Sequence, residues 1–153
     1  MEYDVQLAQP SMAEEITDVL LEGRDEGFVF PPDREVVLEF VQSIMNKNGG
    51  LLGVIVGNSG IEGVIGVKLE KFWFRDQWYL VDMFTFVHPE FRRSTRAKCL
   101  LAFAKKCAKE MGLPLMMGIM SNVRTEAKSR LYERQFDRAG NYFVYNKESV
   151  GVV

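Results

Sequence analysis

The stretch from Trp78 to Gly112 decides the fold, and it reads WYLVDMFTFVHPEFRRSTRAKCLLAFAKKCAKEMG. Its first part, Trp78–Val87, is rich in aromatic and β-branched side chains, which favour a buried strand. The strand is expected to end before the His-Pro pair at 88–89, because proline lacks the amide proton that a sheet ladder needs. A central strand is therefore predicted here.

A helix is predicted directly after this strand. The apolar positions follow the i, i+3, i+4, i+7 spacing of one buried helix face: Ala97, Leu100, Leu101, Ala104, Ala108 and Met111. Gly112 and Pro114 are typical residues at a helix end. The sequence therefore predicts a strand, a short turn and a long amphipathic helix.

The turn between them is basic, with Arg92, Arg93, Arg96 and Lys98 at the start of the helix. Helix N-termini carry partial positive charge and unpaired amide groups, so acidic residues are favoured there. A phosphate group would bind the free amides and the guanidinium groups together. The sequence favours an anion site at this turn; a solvated basic turn is the alternative.

Residues 87–101 resemble the signature of the GNAT family of acyl-CoA-dependent N-acyltransferases. That signature is a strand, a Pro-containing turn, an Arg/Gln-x-x-Gly-x-Gly/Ala loop and a helix. Arg92 matches the first loop position and Ala97 the last, whereas Thr95 replaces the central glycine. Residues 130–136 (RLYERQF) resemble the family's Leu-Tyr-Glu-Lys-x-Gly-Phe element, with Gln135 in place of the glycine.

The order of predicted elements over nearly the whole chain also resembles the GNAT fold. We expect a single α/β (α+β) domain over residues 1–153, with a mixed, mostly antiparallel sheet and helices on both faces. The expected order is β-α-α-β-β-β-α-β-α-β-β. The other predicted strands are Tyr3–Ala8, Leu51–Val56, Ile61–Leu69, an apolar and doubly buried Leu115–Met120, and a final hairpin over 136–138 and 142–146. The other helices begin near Pro10, Asp33 and Thr125.

The resemblance implies acetyl-CoA as the cofactor. In the family the fourth strand bulges and separates from the fifth, the pantetheine arm lies between them, and amides of the basic loop hold the pyrophosphate. The matching residues here are Phe84, Thr85, Phe86, Val87, Arg92, Arg93, Ser94, Thr95, Arg96 and Ala97. Asn122 is a further candidate for bonding the pantetheine amides, with a helix-entry asparagine as the alternative.

Acetyl transfer needs a group that takes the amine's proton and one that protonates the leaving thiolate. The resemblance makes Tyr132 the candidate general acid, and a packed helix aromatic is the alternative. Asp82 is the only carboxylate inside the central strand, where an unpartnered charge is costly. It is therefore the candidate general base, and a hydrogen-bonded structural role is the alternative.

Two functions follow from the resemblance: an N-acetyltransferase acting on a primary amine, or an inactive GNAT-like module that binds a cofactor or a protein. The substituted glycines and the lack of a clear base motivate the second, which is the alternative; the N-acetyltransferase is the function that we predict. The sequence does not identify the amine acceptor, which the family binds with segments that match residues 23–32 and 139–146. Exposed aromatic residues near the turn at 72–79 make a homodimer plausible.

Composition restricts the remaining classes. The net charge of −2 argues against general nucleic-acid binding. No apolar run approaches the ~18 residues of a membrane helix. Cys99 and Cys107 are about 12 Å apart along the predicted helix, too far for a disulfide, and the N-terminus does not read as a signal peptide. We therefore expect a cytoplasmic protein. His88 has no companion at ligand spacing, so no metal site is predicted.

Overall fold

A computed structural model describes residues 2–23, 28, 30–46, 49–119, 125–140, 143 and 145. Five strands form one sheet in the order β1-β2-β3-β4-β5. They are β1 (Gln6–Leu7), β2 (Gly50–Gly57), β3 (Gly60–Lys71), β4 (Trp78–Val87) and β5 (Leu115–Met116). The first four pair antiparallel, and β4 pairs with β5 in parallel. The mixed, mostly antiparallel sheet is therefore confirmed.

In the described part of the chain, four α-helices cover the two faces of this sheet: α1 (Ala13–Glu22), α2 (Arg34–Met45), α3 (Arg96–Met111) and α4 (Thr125–Glu133). The apolar stripes of α1 and α2 pack with Leu52, Val54 and Val64 in one core. The other core joins α3 and α4 to Ile65, Leu80 and Val87. Helices on both faces are thus confirmed. None of the helices in the described part of the chain is long and apolar enough to span a membrane.

The central strand and helix lie as the sequence predicts. The strand spans Trp78–Val87, and α3 ends at Gly112, which adopts a left-handed conformation with φ of 68° and donates its amide to carbonyls of the last turn. Leu100, Leu101, Ala104 and Ala108 are buried. Met111 is the exception, because it is exposed at the end of the helix.

The β2–β3 connection is the predicted tight hairpin, in which Gly57 pairs with Gly60. Gly60 has a φ of 118°, a conformation that suits glycine. At the next turn Phe72 stacks on Tyr79 with ring centroids 4.0 Å apart. Trp73 points away from the protein and is 94% exposed.

Three predicted strands differ from the structure. β1 is limited to Gln6–Leu7, within the predicted 3–8. The fifth strand was expected over 115–120 and buried on both faces, but β5 is only Leu115–Met116 and Met116 is exposed. Residues 137–140 of the expected final hairpin form no strand, and most of its second half lies outside the described residues.

Candidate active site

The two central strands separate at the position of Asp82. Leu80 and Val81 pair with Leu115 and Met116, and the parallel ladder ends there. β4 continues to Val87 with β3 on its other side. In the part of the chain that the structure describes, no strand pairs with the β5-facing edge of 82–87. This edge therefore presents backbone amides and carbonyls to a gap between the strands.

A β-bulge interrupts β4 at Met83. Asp82 lies opposite Val67 and Phe84 lies opposite Gly66, so Met83 is an extra residue without a partner on β3. In a regular strand, residues three apart point to opposite faces. The extra residue changes this alternation, and the side chains of Asp82 and Thr85 meet on one face, with Thr85 Oγ1 at 3.3 Å from Asp82 Oδ1.

The Asp82 carboxyl is held by neutral groups. The Thr85 hydroxyl and the Gly118 backbone amide both donate to it. Burial in the protein raises the pKa of Asp82 to about 7, against the smaller opposite effect of these two hydrogen bonds. The Gly118 amide thus bonds to a side chain two residues after the last paired residue of β5. At neutral pH this carboxyl exists in both protonation states.

Tyr132 reaches the same place from α4. Its hydroxyl is hydrogen-bonded to Thr85, and its ring packs in the core below α3 and α4. Burial, and then the negative charge of Asp82, raise the pKa of Tyr132 well above its usual value, against the opposite effect of the Thr85 hydrogen bond. The phenol therefore stays protonated at neutral pH. The structure brings both sequence-predicted chemical residues together, and we call this group the Asp82–Thr85–Tyr132 cluster.

The basic turn follows β4 through a short 3-10 turn at Pro89–Phe91. Arg92 Nε donates to the Val87 carbonyl at 2.9 Å, and its guanidinium lies 5.3 Å from the Phe86 ring centre. Ser94 donates to the Phe91 carbonyl and accepts from the Arg96 amide. These contacts tie the turn to the end of β4. Arg93, Ser94 and Thr95 are exposed at the start of α3.

Arg96 has a different position from the one that the anion-site hypothesis suggests. Its Nε lies 2.9 Å from Glu62 Oε1, and both side chains are only 13% exposed. The guanidinium also packs on Tyr3 and Phe91, at 4.0 and 4.6 Å from the ring centres. The Arg96 side chain therefore holds the turn to β3 and to Tyr3, which precedes β1, while its backbone remains part of the loop.

Glu62 has a second link to the site, because its carbonyl accepts from the His88 amide at 2.9 Å. Neither Glu62 nor Gly118 was among the sequence-based candidates, and no local pattern marks them, since both act through partners far along the chain. Phe84 and Phe86 point to the α1–α2 core, so only their backbone faces the gap. Asn122 lies outside the described residues. Among the described side chains, no group of three or more His, Cys, Asp or Glu is arranged to hold a metal.

Comparison with solved structures gives full-length similarity to acetyltransferases. AAC(6')-Iy, solved in complex with the bisubstrate analog CoA-S-monomethyl-acetylneamine, has a TM-score of 0.74 at 15% identity, covering 97% of this chain and 99% of that one. Ribosomal-protein-alanine N-acetyltransferase from Brucella melitensis biovar Abortus has a TM-score of 0.72 at 15% identity, over 97% of this chain and 99% of that one.

A GNAT family acetyltransferase from Staphylococcus aureus has a TM-score of 0.66 at 17% identity, covering 95% of this chain and 99% of that one. No protein-family model matches the sequence, and neither does any curated protein. The chain therefore has the GNAT acetyltransferase fold, as the sequence motifs indicate.

Proposed function

We propose that this protein is an N-acetyltransferase that moves an acetyl group from acetyl-CoA to a primary amine, by direct attack of the amine in a ternary complex. The observation that carries the proposal is the Asp82–Thr85–Tyr132 cluster, which lies where β4 leaves β5 and just before the basic turn. A base whose pKa is raised toward neutrality and an acid that is protonated at neutral pH are the pair that amide formation requires.

Asp82 is the proposed base. An amine arrives mostly as an ammonium ion and must lose a proton before it can attack. A carboxyl whose pKa is raised to about 7 accepts that proton far more readily than an ordinary aspartate. Being ionised in part at neutral pH, it also attracts a cationic substrate.

Tyr132 is the proposed acid. Its raised pKa keeps the phenol protonated at neutral pH, so that a proton is available when the thiolate leaves. Backbone amides of β4 near Phe84 to Phe86 are proposed to stabilise the charge that develops on the carbonyl oxygen. Bound acetyl-CoA would supply the activated thioester.

The cofactor would bind along residues 84–87 and the basic turn. Exposed Arg93, Ser94 and Thr95 and the first amides of α3 offer donors to a diphosphate. The Glu62–Arg96 pair keeps this turn in position. Thr95 carries a side chain where the family has glycine, so we expect weaker cofactor binding than a glycine would allow.

The test begins with calorimetry of acetyl-CoA binding. Adenosine monophosphate is the control for nonspecific anion binding. A set of diamines, aminoglycosides and peptides with free α-amino groups is then assayed for release of the free thiol. Saturable binding and amine-dependent thiol release would support the proposal. No binding at any accessible concentration would contradict it and would favour the inactive module, whose support is the loss of both motif glycines.

A further inference from the structure

We propose that Thr85 is a positioning residue that passes a proton from Asp82 to Tyr132 after each turnover, so that both groups are reset inside the protein. This inference rests on the proposed function. It gives Thr85 a role in proton transfer, whereas the resemblance implies only that this residue contacts the cofactor as part of the strand.

The geometry joins three oxygen-bearing groups in a row. Thr85 Oγ1 lies 3.3 Å from Asp82 Oδ1, and the Tyr132 hydroxyl bonds to the same Thr85 hydroxyl. A hydroxyl has one donor and two acceptor positions, so Thr85 can donate to the Asp82 carboxylate and, once Asp82 is protonated, accept from Asp82 and donate to the Tyr132 oxygen. Thr85 is therefore the middle of the row.

The bulge at Met83 is what makes this row possible. Without the extra residue, Thr85 would point to the α1–α2 face, as Phe84 and Phe86 do in the present register. With it, Thr85 lies on the face of Asp82 and of α4. Valine would have the same shape and a high strand propensity, so packing alone does not call for a hydroxyl here.

The surroundings restrict other proton routes. Asp82, Thr85 and Tyr132 are each partly or largely covered by protein. Among the described residues, Tyr132 on α4 is the titratable group that faces the Asp82 carboxyl, while β3 contributes Val67 and the β5 side contributes the Gly118 amide. A proton on Asp82 therefore has Thr85 as its nearest hydroxyl.

The proton balance follows from the proposed chemistry. The amine nitrogen loses two protons between ammonium and amide: Asp82 takes one, and the other leaves to solvent. Tyr132 gives its proton to the thiolate, which leaves a phenolate next to Thr85. The Asp82 proton then moves to the Thr85 oxygen as the Thr85 proton moves to Tyr132. Only O–H bonds break and form in this step, and one proton is released overall.

The experiment compares Thr85→Val, which removes the hydroxyl, with Thr85→Ser, which keeps it. We expect kcat to fall about tenfold or more in Thr85→Val, with KM for acetyl-CoA changed less than about twofold. Thr85→Ser should restore most of the rate. A Thr85→Val enzyme with the parent kcat, or a serine variant as slow as the valine one, would overturn the inference. Thr85→Ala replaces the valine variant if its thermal midpoint falls.

A second measurement does not depend on activity. The Asp82 carboxyl carbon is followed by NMR through a pH titration in the parent and in Thr85→Val. Loss of a donor to the charged carboxylate should raise the pKa of Asp82 above its value of about 7 in the parent. An unchanged pKa would overturn the Thr85 connection even in an active enzyme. If the pKa rises but no amine is acetylated, the connection stands and the proposed function fails.

Discussion

Glu62 and Asp82 are two carboxylates held at β-bulges, and their surroundings differ. Glu62 is the extra residue where β2 and β3 change register, and Asp82 precedes the extra residue of β4. Glu62 is paired with the Arg96 guanidinium at 2.9 Å, whereas Asp82 is held by a hydroxyl and an amide that carry no charge. The first charge is compensated within the protein and the second is not.

This difference separates two uses of a partly buried charge. A carboxylate paired with a cation can hold the basic turn in place through a charge-assisted hydrogen bond. A carboxylate with neutral partners has a raised pKa and changes its protonation near neutrality. The comparison supports a structural role for Glu62 and agrees with the role proposed for Asp82, and variants of each residue can test it.

The largest effect is expected from breaking the compensated pair. Arg96→Leu leaves the Glu62 carboxylate buried without a cation and should lower the free energy of unfolding by about 3–5 kcal/mol in urea denaturation. The double variant Glu62→Leu/Arg96→Leu removes both charges and should recover a large part of that loss. A single variant as stable as the parent would contradict a structural role for this pair.

The next largest effect is expected at Tyr132. Tyr132→Phe removes the proposed acid and should reduce kcat about 100-fold, while the calorimetric affinity for acetyl-CoA stays within about twofold. Tyr79→Phe is the matched control, because that tyrosine stacks on Phe72 in the distant hairpin. Parent-like turnover in Tyr132→Phe would remove Tyr132 from the chemistry.

The pH dependence of stability should follow Asp82. Its pKa is raised from 3.8 to about 7 on folding, so the folded state binds more protons than the unfolded state between these values. The free energy of unfolding should therefore fall as pH rises from about 4 to 7 and then level off. Asp82→Asn should remove this slope. The free energy of unfolding of the variant minus that of the parent should therefore be roughly 1–3 kcal/mol larger at pH 8 than at pH 4.

The control for this titration is Asp76→Asn, since Asp76 is exposed in the β3–β4 turn and pairs with Lys71. That variant should leave the slope unchanged. If Asp82→Asn and the parent show parallel curves in chemical denaturation at several pH values, the proposed difference between the two carboxylates is wrong.

The smallest effect is expected at the exposed edge of the basic turn. Arg93→Ala should weaken acetyl-CoA binding about threefold at low salt, and less at high salt, because an exposed charge is screened. Arg75→Ala, in the exposed hairpin, is the control of equal charge change. Equal affinities for Arg93→Ala and the parent at low salt would exclude Arg93 from the anion site.

Local patterns were sufficient to predict most of the fold. The strand at 78–87, the helix after the basic turn and the hairpin at Gly57–Gly60 depend on neighbours in the chain. The sequence also singled out Tyr132, from a motif, and Asp82, as a charge in an apolar strand, and the structure places both side chains next to Thr85.

Long-range contacts account for what the sequence did not reveal. β5 ends at Met116, and the Gly118 amide bonds to Asp82, which lies on another strand. Arg96 turns inward because Glu62, thirty-four residues earlier, offers a carboxylate. The bulge at Met83 has no signal of its own, since the pattern of β4 is apolar on both sides of it.

The extra residue in β4 makes the length of this strand part of the site. A deletion of Met83 would move each later residue of β4 to the opposite face of the sheet. Thr85 would then point away from Asp82, and Phe84 and Phe86 would point toward α3. Such a deletion would disturb both cores and the cluster at once, more than any single exchange of a side chain here. For protein engineers, we expect side-chain exchanges at this half-exposed position to cost less than a change in spacing.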